Sequence, residues 1–164
     1  MAAQILSVER VRNLLDYEPE TGNLTWRYAR SGISPGIAGS VGGPGYLYVV
    51  ADGPRLLAHR LIWFHVHGKW PQGDIDHINH DRLDNRLANL RDVSRCMNNE
   101  NRKQARCDNR IGVLGVSWHD HSKKWRARIM TGGKEYRLGL FDTTEDAHNA
   151  YLIAKRRLHE GCTI

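Results

Sequence analysis

Cysteine is scarce in this chain, with only three among 164 residues. Cys96, Cys107 and Cys162 are odd in number, widely spaced and form no Cys-x-x-Cys pair, which excludes a disulfide framework and a zinc ribbon and predicts free thiols in a reducing compartment. Long apolar runs are also missing. None approaches the roughly 20 residues that span a bilayer, and the first residues lack the charged and apolar zones of a signal peptide. A soluble, cytoplasmic (intracellular) protein with no membrane partner is expected. An apolar content of 40% excludes a disordered or fibrous chain, and the length suits one ordinary domain or two small ones.

Charge is present mainly as one sign and in one half. Residues 1–90 carry nine Lys/Arg against nine Asp/Glu, so the net +6 comes from residues 91–164. A basic surface there points to a polyanionic partner such as nucleic acid.

Ser7 precedes apolar residues at Val8, Val11, Leu14 and Leu15, the spacing of a short capped helix. Leu24-Thr-Trp26 reads as a strand. Ser31 to Gly45 holds six glycines and two prolines and reads as a loop. Tyr46 to Val50 and Leu56 to Ala58 flank the turn Asp52-Gly-Pro54 as a β-hairpin. Leu61, Ile62, Phe64 and Val66 predict a buried helix over His59 to His67, terminated by Gly68 and Pro71. Val93 to Arg106 is polar and asparagine-rich with a helix-permitting start, and Asp108-Asn-Arg110 reads as a junction between domains.

From Gly112 onward the pattern becomes short strands, Val116-Ser-Trp118, Trp125 to Ile129 and Glu135 to Leu138, with turns between them. Thr143-Thr-Glu-Asp146 then caps a helix whose apolar stripe is Ala147, Ala150, Tyr151, Ala154 and Leu158, ended by Gly161. Strand alternation turns Trp125, Ala127, Ile129, Tyr136 and Leu138 toward that helix. It leaves Lys124, Arg126, Arg128, Met130 and Arg137 outward, a strongly basic face.

The stretch from Gly73 to Arg91 combines an acid-histidine pair, spaced asparagines and several arginines. Phosphodiester hydrolysis needs an activated water, neutralisation of charge on the phosphate and help for the departing oxygen, which a divalent metal beside a histidine can supply. In an extended segment Asp76 and His77 point to opposite faces, so a bend is expected at this pair. Asx residues also crowd ordinary turns, and Asp81, Asp84 and Asn85 read in that way.

The order of pieces, Ala58-His-Arg-Leu-Ile-Trp63, Gly68-Lys-Trp-Pro71, Ile75-Asp-His-Ile-Asn79, Asp84-Asn-Arg86, Asn89-Leu-Arg91 and Asn98 to Asn101, resembles the HNH nucleases of phages and intron-encoded homing endonucleases. The resemblance implies a ββα-metal (His-Me finger) domain in which His77 is the general base, Asp76 the first metal ligand and Asn89 a brace for the loop that orients the imidazole. Asn98 stands where many relatives have a second histidine, which makes this the His-Asn-Asn variant. As second metal ligand its amide oxygen implies one Mg or Mn ion rather than zinc. His59, His80 and Asn101 are candidates for an auxiliary role, His80 occupying a place where relatives often have glycine. Arg60, Arg82, Arg86 and Arg91 are candidate phosphate clamps or structural ion-pair partners.

Gly115-Val116, Lys124 to Ile129, Leu138-Gly-Leu-Phe141, Thr143 to Ala147, Ala150-Tyr151 and Ala154 resemble the Apetala-two type DNA-binding domain of plant ethylene-response factors. That resemblance implies a three-stranded sheet entering the major groove, with Lys124, Arg126, Arg128 and Arg137 as contact residues. Ser117 and Glu135 replace base-reading arginines of the plant domains, so base specificity does not carry over. The expectation is an α+β chain with a nuclease domain over 1–108 (motifs 58–103) and a DNA-binding domain over 109–164. It would cut or nick double-stranded DNA as a monomer or homodimer. The competing expectations are a non-catalytic DNA-binding regulator on the same scaffold and a structure-specific or RNA nuclease.

Overall fold

The computed structural model describes residues 6–28, 36–43, 45–105, 109, 111–159, 162 and 163. They divide into two compact units, Met1–Ser94 and Arg95–Ile164.

In the first unit, helix α1 (Val8–Leu14) begins where the Ser7 side chain accepts from the Arg10 N–H. Leu15, expected to end this helix, instead opens strand β1 (Leu15–Glu18), which pairs antiparallel with β2 (Asn23–Trp26). Leu15 is apolar at both the helical and the strand period, so it fits either element, and its partner Trp26 decides. The glycine-rich stretch expected to be a loop contains strand β3 (Ser40–Gly42), although residues 31–35 and 44 of that stretch lie outside the described residues. It pairs with β4 (Tyr46–Val50), which also pairs with β5 (Arg55–Leu57). Ala58, expected in the hairpin, starts helix α2 (Ala58–His67), which ends at Gly68 in the left-handed conformation.

Leu61, Ile62 and Phe64 of α2 join Val11, Leu14, Leu15, Leu24, Trp26 and Val49 in one core, which extends to Ile75 and Leu90. Those last two residues belong to β6 (Asp74–His77) and β7 (Leu90–Val93), an antiparallel pair joined through a 3-10 turn at Leu87–Asn89. Anchoring one residue of each strand in this core fixes the hairpin that carries the acid-histidine pair.

The second unit opens with α3 (Arg95–Glu100). Its sheet is β8 (Val116–His119), β9 (Lys124–Thr131) and β10 (Lys134–Phe141) with β9 central, followed by α4 (Thr144–Leu158). Thr143 caps α4 by accepting from the Asp146 N–H at 3.1 Å. Ala147, Tyr151 and Ala154 are buried among Val116, Ala127 and Ile129. A Cβ at Gly115, which sits at φ +71°, would fall 2.0 Å from the Tyr151 ring, so only glycine lets α4 lie this close.

Two expectations for this unit need correction. Tyr136 lies opposite Ile129 on the helix-facing side but is 44% exposed, because α4 does not cover it. Leu138 packs against the α4 core as expected, although the pairing shifts between Arg137 and Gly139 and makes it the extra residue of a bulge. Leu158 in the last turn of α4 is exposed, and Lys155 is fully buried instead, its amine donating to the Arg102 carbonyl. The expected helix end at Gly161 lies outside the described residues, as do 106–108 and 110 of the expected junction. Residues 100–102 are tied into this unit by Thr131 to Glu100, Lys155 to Arg102 and Thr163 to Asn101, which explains why the contacts divide after Ser94. Among the described residues, no helix is long and apolar enough to cross a membrane.

Candidate active site

Register between β6 and β7 sets Asp76 opposite Arg91 and His77 opposite Leu90. Arg91 donates through Nε and Nη2 to Asp76 Oδ2 at 2.9 and 2.7 Å, so a nearly buried carboxylate has a cationic neighbour. The chain bends just after the pair rather than at it. Strand β6 ends at His77, whose carbonyl accepts from the His80 N–H at 2.9 Å, and His80 takes φ +68°. A left-handed backbone there accounts for the resemblance to patterns with glycine at this place.

His77 is buried, and its Nε2 lies 3.2 Å from Asn85 Oδ1. The Asn85 amide nitrogen donates to the Leu83 carbonyl at 3.2 Å, which orients its oxygen toward the imidazole. Nε2 therefore carries the proton and Nδ1 keeps the lone pair. Burial lowers the His77 pKa below the ordinary histidine value, against the raising effects of the Asn85 bond and of Asp76, Asp81 and Asp84. At neutral pH the ring is a neutral base. Asn85, 1% exposed, is the site residue that sequence reasoning missed by taking it as a turn former. Its place in Asp84-Asn-Arg86, one of the pieces that carry the family resemblance, was the available signal.

Asn89 holds the loop after His77 from both sides. Its Oδ1 accepts from the Asn79 N–H at 2.9 Å, its Nδ2 donates to the Asp84 carbonyl at 2.8 Å, and its own carbonyl accepts from the Ile78 N–H. Asp84 is gripped by Arg86 at 2.6 and 2.8 Å and by Asn79 at 2.7 Å. The Arg86 guanidinium foremost lowers the Asp84 carboxyl to about 2. From β1, the Tyr17 hydroxyl accepts from the Leu87 N–H at 2.7 Å and donates to the Asn85 carbonyl at 3.3 Å. A Cβ at Gly22 would lie 2.4 Å from the Arg86 nitrogen, so the β1–β2 turn rests on the backbone that carries Asn85.

His59, at the start of α2, stands edge-on to His77 with ring centres 5.1 Å apart. Burial first, then the charges of His77 and Arg60, lower its pKa to about 3. Tyr46 on β4 lies 5.3 Å from His59 and 6.2 Å from His77. Arg60 donates to the Gly73 carbonyl at 2.9 Å, and with Arg86 on Asp84 and Arg91 on Asp76 each of these candidate clamps already has a protein partner.

The second unit holds the remaining candidates. Asn98 sits half-buried on α3, and Asn101, 2% exposed, accepts from Thr163 Oγ1 at 2.6 Å. Arg126, Arg128, Arg137 and Lys124 occupy the side of the sheet away from α4, as alternation predicts. There Arg126 donates to Ser117 Oγ at 3.2 Å, Glu135 meets Arg128 at 2.8 Å and Arg137 at 3.9 Å, and Lys124 meets Asp142 at 3.0 Å. Among the described residues, no group of three or more His, Cys, Asp or Glu side chains could hold a metal. The donors named above are carboxylate and amide oxygens, a hard set.

Residues 56–100 match the family model described as HNH endonuclease, a span that includes Asp76, His77, Asn85, Asn89 and Asn98. The match supports a nuclease and covers well under half of the chain. No curated protein and no solved structure matches the chain significantly.

Proposed function

We propose that the chain is a metal-dependent endonuclease that hydrolyses phosphodiester bonds in double-stranded DNA, of the HNH kind found in phages and homing elements. The observation that carries this reading is His77: a buried, neutral imidazole whose Nε2 is committed to Asn85, inside the span that matches the nuclease family. Its Nδ1 takes a proton from the attacking water. The water oxygen bonds to phosphorus while the bond to the 3′ oxygen breaks and that oxygen takes a proton from solvent, leaving a 5′ phosphate and a 3′ hydroxyl. Asn85 and Asn89 keep the ring and its loop in place.

The oxygen donors of Asp76 and Asn98 suit one Mg or Mn ion, which when bound would neutralise charge on the phosphate and the departing oxygen. Asp76 is held by Arg91, so a bound cation shares its carboxylate with that guanidinium or displaces it. The functional nuclease domain reaches to about residue 108, because it must include α3. Residues 109–164 would be an Apetala-two-like module that grips duplex DNA through Lys124, Arg126, Arg128 and Arg137. One such site per chain nicks a strand, and a homodimer could break both.

Incubating supercoiled plasmid with the full chain and Mg or Mn tests the reading. Relaxed or linear product is expected from the wild type and none from His77→Ala. Absence of product in both, with DNA binding retained, would make the chain a binding protein and sink the nuclease claim.

A further inference from the structure

The sheet β3–β4–β5 has one side in the core and one side that this mechanism leaves unused. Leu47, Val49 and Leu56 face the core, so alternation turns Ser40, Gly42, Tyr46, Tyr48, Val50, Arg55 and Leu57 to the other side. None of these seven is acidic. The Arg55 guanidinium carbon lies 4.1 Å from the centre of the Tyr48 ring, within cation–π distance. It extends over Gly42, where a Cβ would meet Arg55 Nη2 at 2.2 Å, so the missing side chain on β3 leaves room for it. Two residues along β4 the arrangement repeats: Arg82 lies 5.0 Å from the centre of the Tyr46 ring, and Tyr46 neighbours His59 and His77.

We propose that this face is a second DNA-contact surface, which leads the phosphate backbone of the duplex to His77. A guanidinium stacked on an aromatic ring keeps its in-plane N–H groups directed outward, the geometry that grips phosphate oxygens. The rings hold the arginines in place, so less side-chain entropy is lost on binding. Duplex DNA is the occupant argued for because the sheet residues of this face include a cation and no acid, and the face runs up to the proposed base. The inference rests on the nuclease reading above for the identity of the substrate.

Binding of the full-length protein to a labelled short DNA duplex, in chelator so that nothing is cut, separates the two claims. Arg55→Gln should weaken binding several-fold and reduce the steepness of its salt dependence by about one released counterion, while Arg55→Lys should restore the steepness and only part of the affinity. Unchanged affinity and salt dependence in Arg55→Gln would overturn the inference even if the wild type cleaves plasmid. Binding that depends on Arg55 without any cleavage would overturn the nuclease reading alone. Ultraviolet crosslinking of the wild type needs no variant to fold. Adducts on the peptide carrying Tyr46 and Tyr48 are expected, and adducts confined to other peptides would overturn the proposal.

Discussion

Asn85 shows how much of a site one amide can organise. It orients the imidazole, fixes the tautomer and is fully enclosed, so Asn85→Ala leaves the Nε2 proton unpartnered in a buried place. A stability loss of about 1–3 kcal/mol is expected from the unsatisfied donor. Plasmid cleavage should fall about 10- to 100-fold in kcat with KM little changed, as for other residues that act through a neighbour. A variant as active as wild type would remove Asn85 from the site. His59 gives a pH prediction. Its folded pKa, about 3, lies below the ordinary value near 6.5, so it is the unfolded chain that takes up the proton between those values. The stability is fully present above pH 6.5 and is lost progressively as pH falls toward 3. Urea unfolding at a series of pH values should show a shallower acid loss for His59→Gln than for the wild type. Parallel curves would mean that His59 is not buried neutral.

Among the elements, the β1–β2 hairpin matters for reasons remote from its own sequence. Gly22 has φ +77°, and any side chain there would strike the backbone of Asn85 and Arg86, which cannot swing aside. Gly22→Ala should therefore cost about 2 kcal/mol or more in urea unfolding and lower cleavage further than that loss explains. A neutral substitution would show that the hairpin does not support the Asn85 segment. This support was not legible in the sequence, because it depends on two backbones meeting across more than sixty residues. What local chemistry dictates was legible: the Ser7 and Thr143 caps, the α2 stop at Gly68, and the alternation that turns Arg126 and Arg128 away from α4. Strand pairing with the next segment of chain overrode single-residue signals at Leu15 and at Ser40–Gly42. The bulge at Leu138 broke an alternation that period counting assumes unbroken. Within the site, Asp76 and His77 stood out by type and Asn89 through the family resemblance, whereas Asn85 and the enclosed Lys155 look on paper like ordinary turn and surface residues.

At the scale of the whole molecule, the two units have separate cores: every residue of the larger cluster precedes Ser94, and every residue of the two smaller ones follows Glu100. Residues 1–94 should therefore fold alone in a cooperative transition. Yet α3, the element of the second unit that carries Asn98, has only six residues and is held to the rest of that unit through Glu100, Asn101 and Arg102. A helix this short is not stable by itself in water, where roughly 12–15 residues are needed. On the proposed role of Asn98, deleting residues 109–164 removes more than a grip on DNA. A fragment ending at residue 108 should fold but bind Mn at least tenfold more weakly than the full chain by calorimetry, and Asn98→Ala in the full chain should weaken it similarly. A fragment that binds Mn as tightly as the full chain would show that α3 forms without the rest of the second unit. Asn98→Ala without effect on Mn binding would strike Asn98 from the ligand set and leave the second unit with DNA alone.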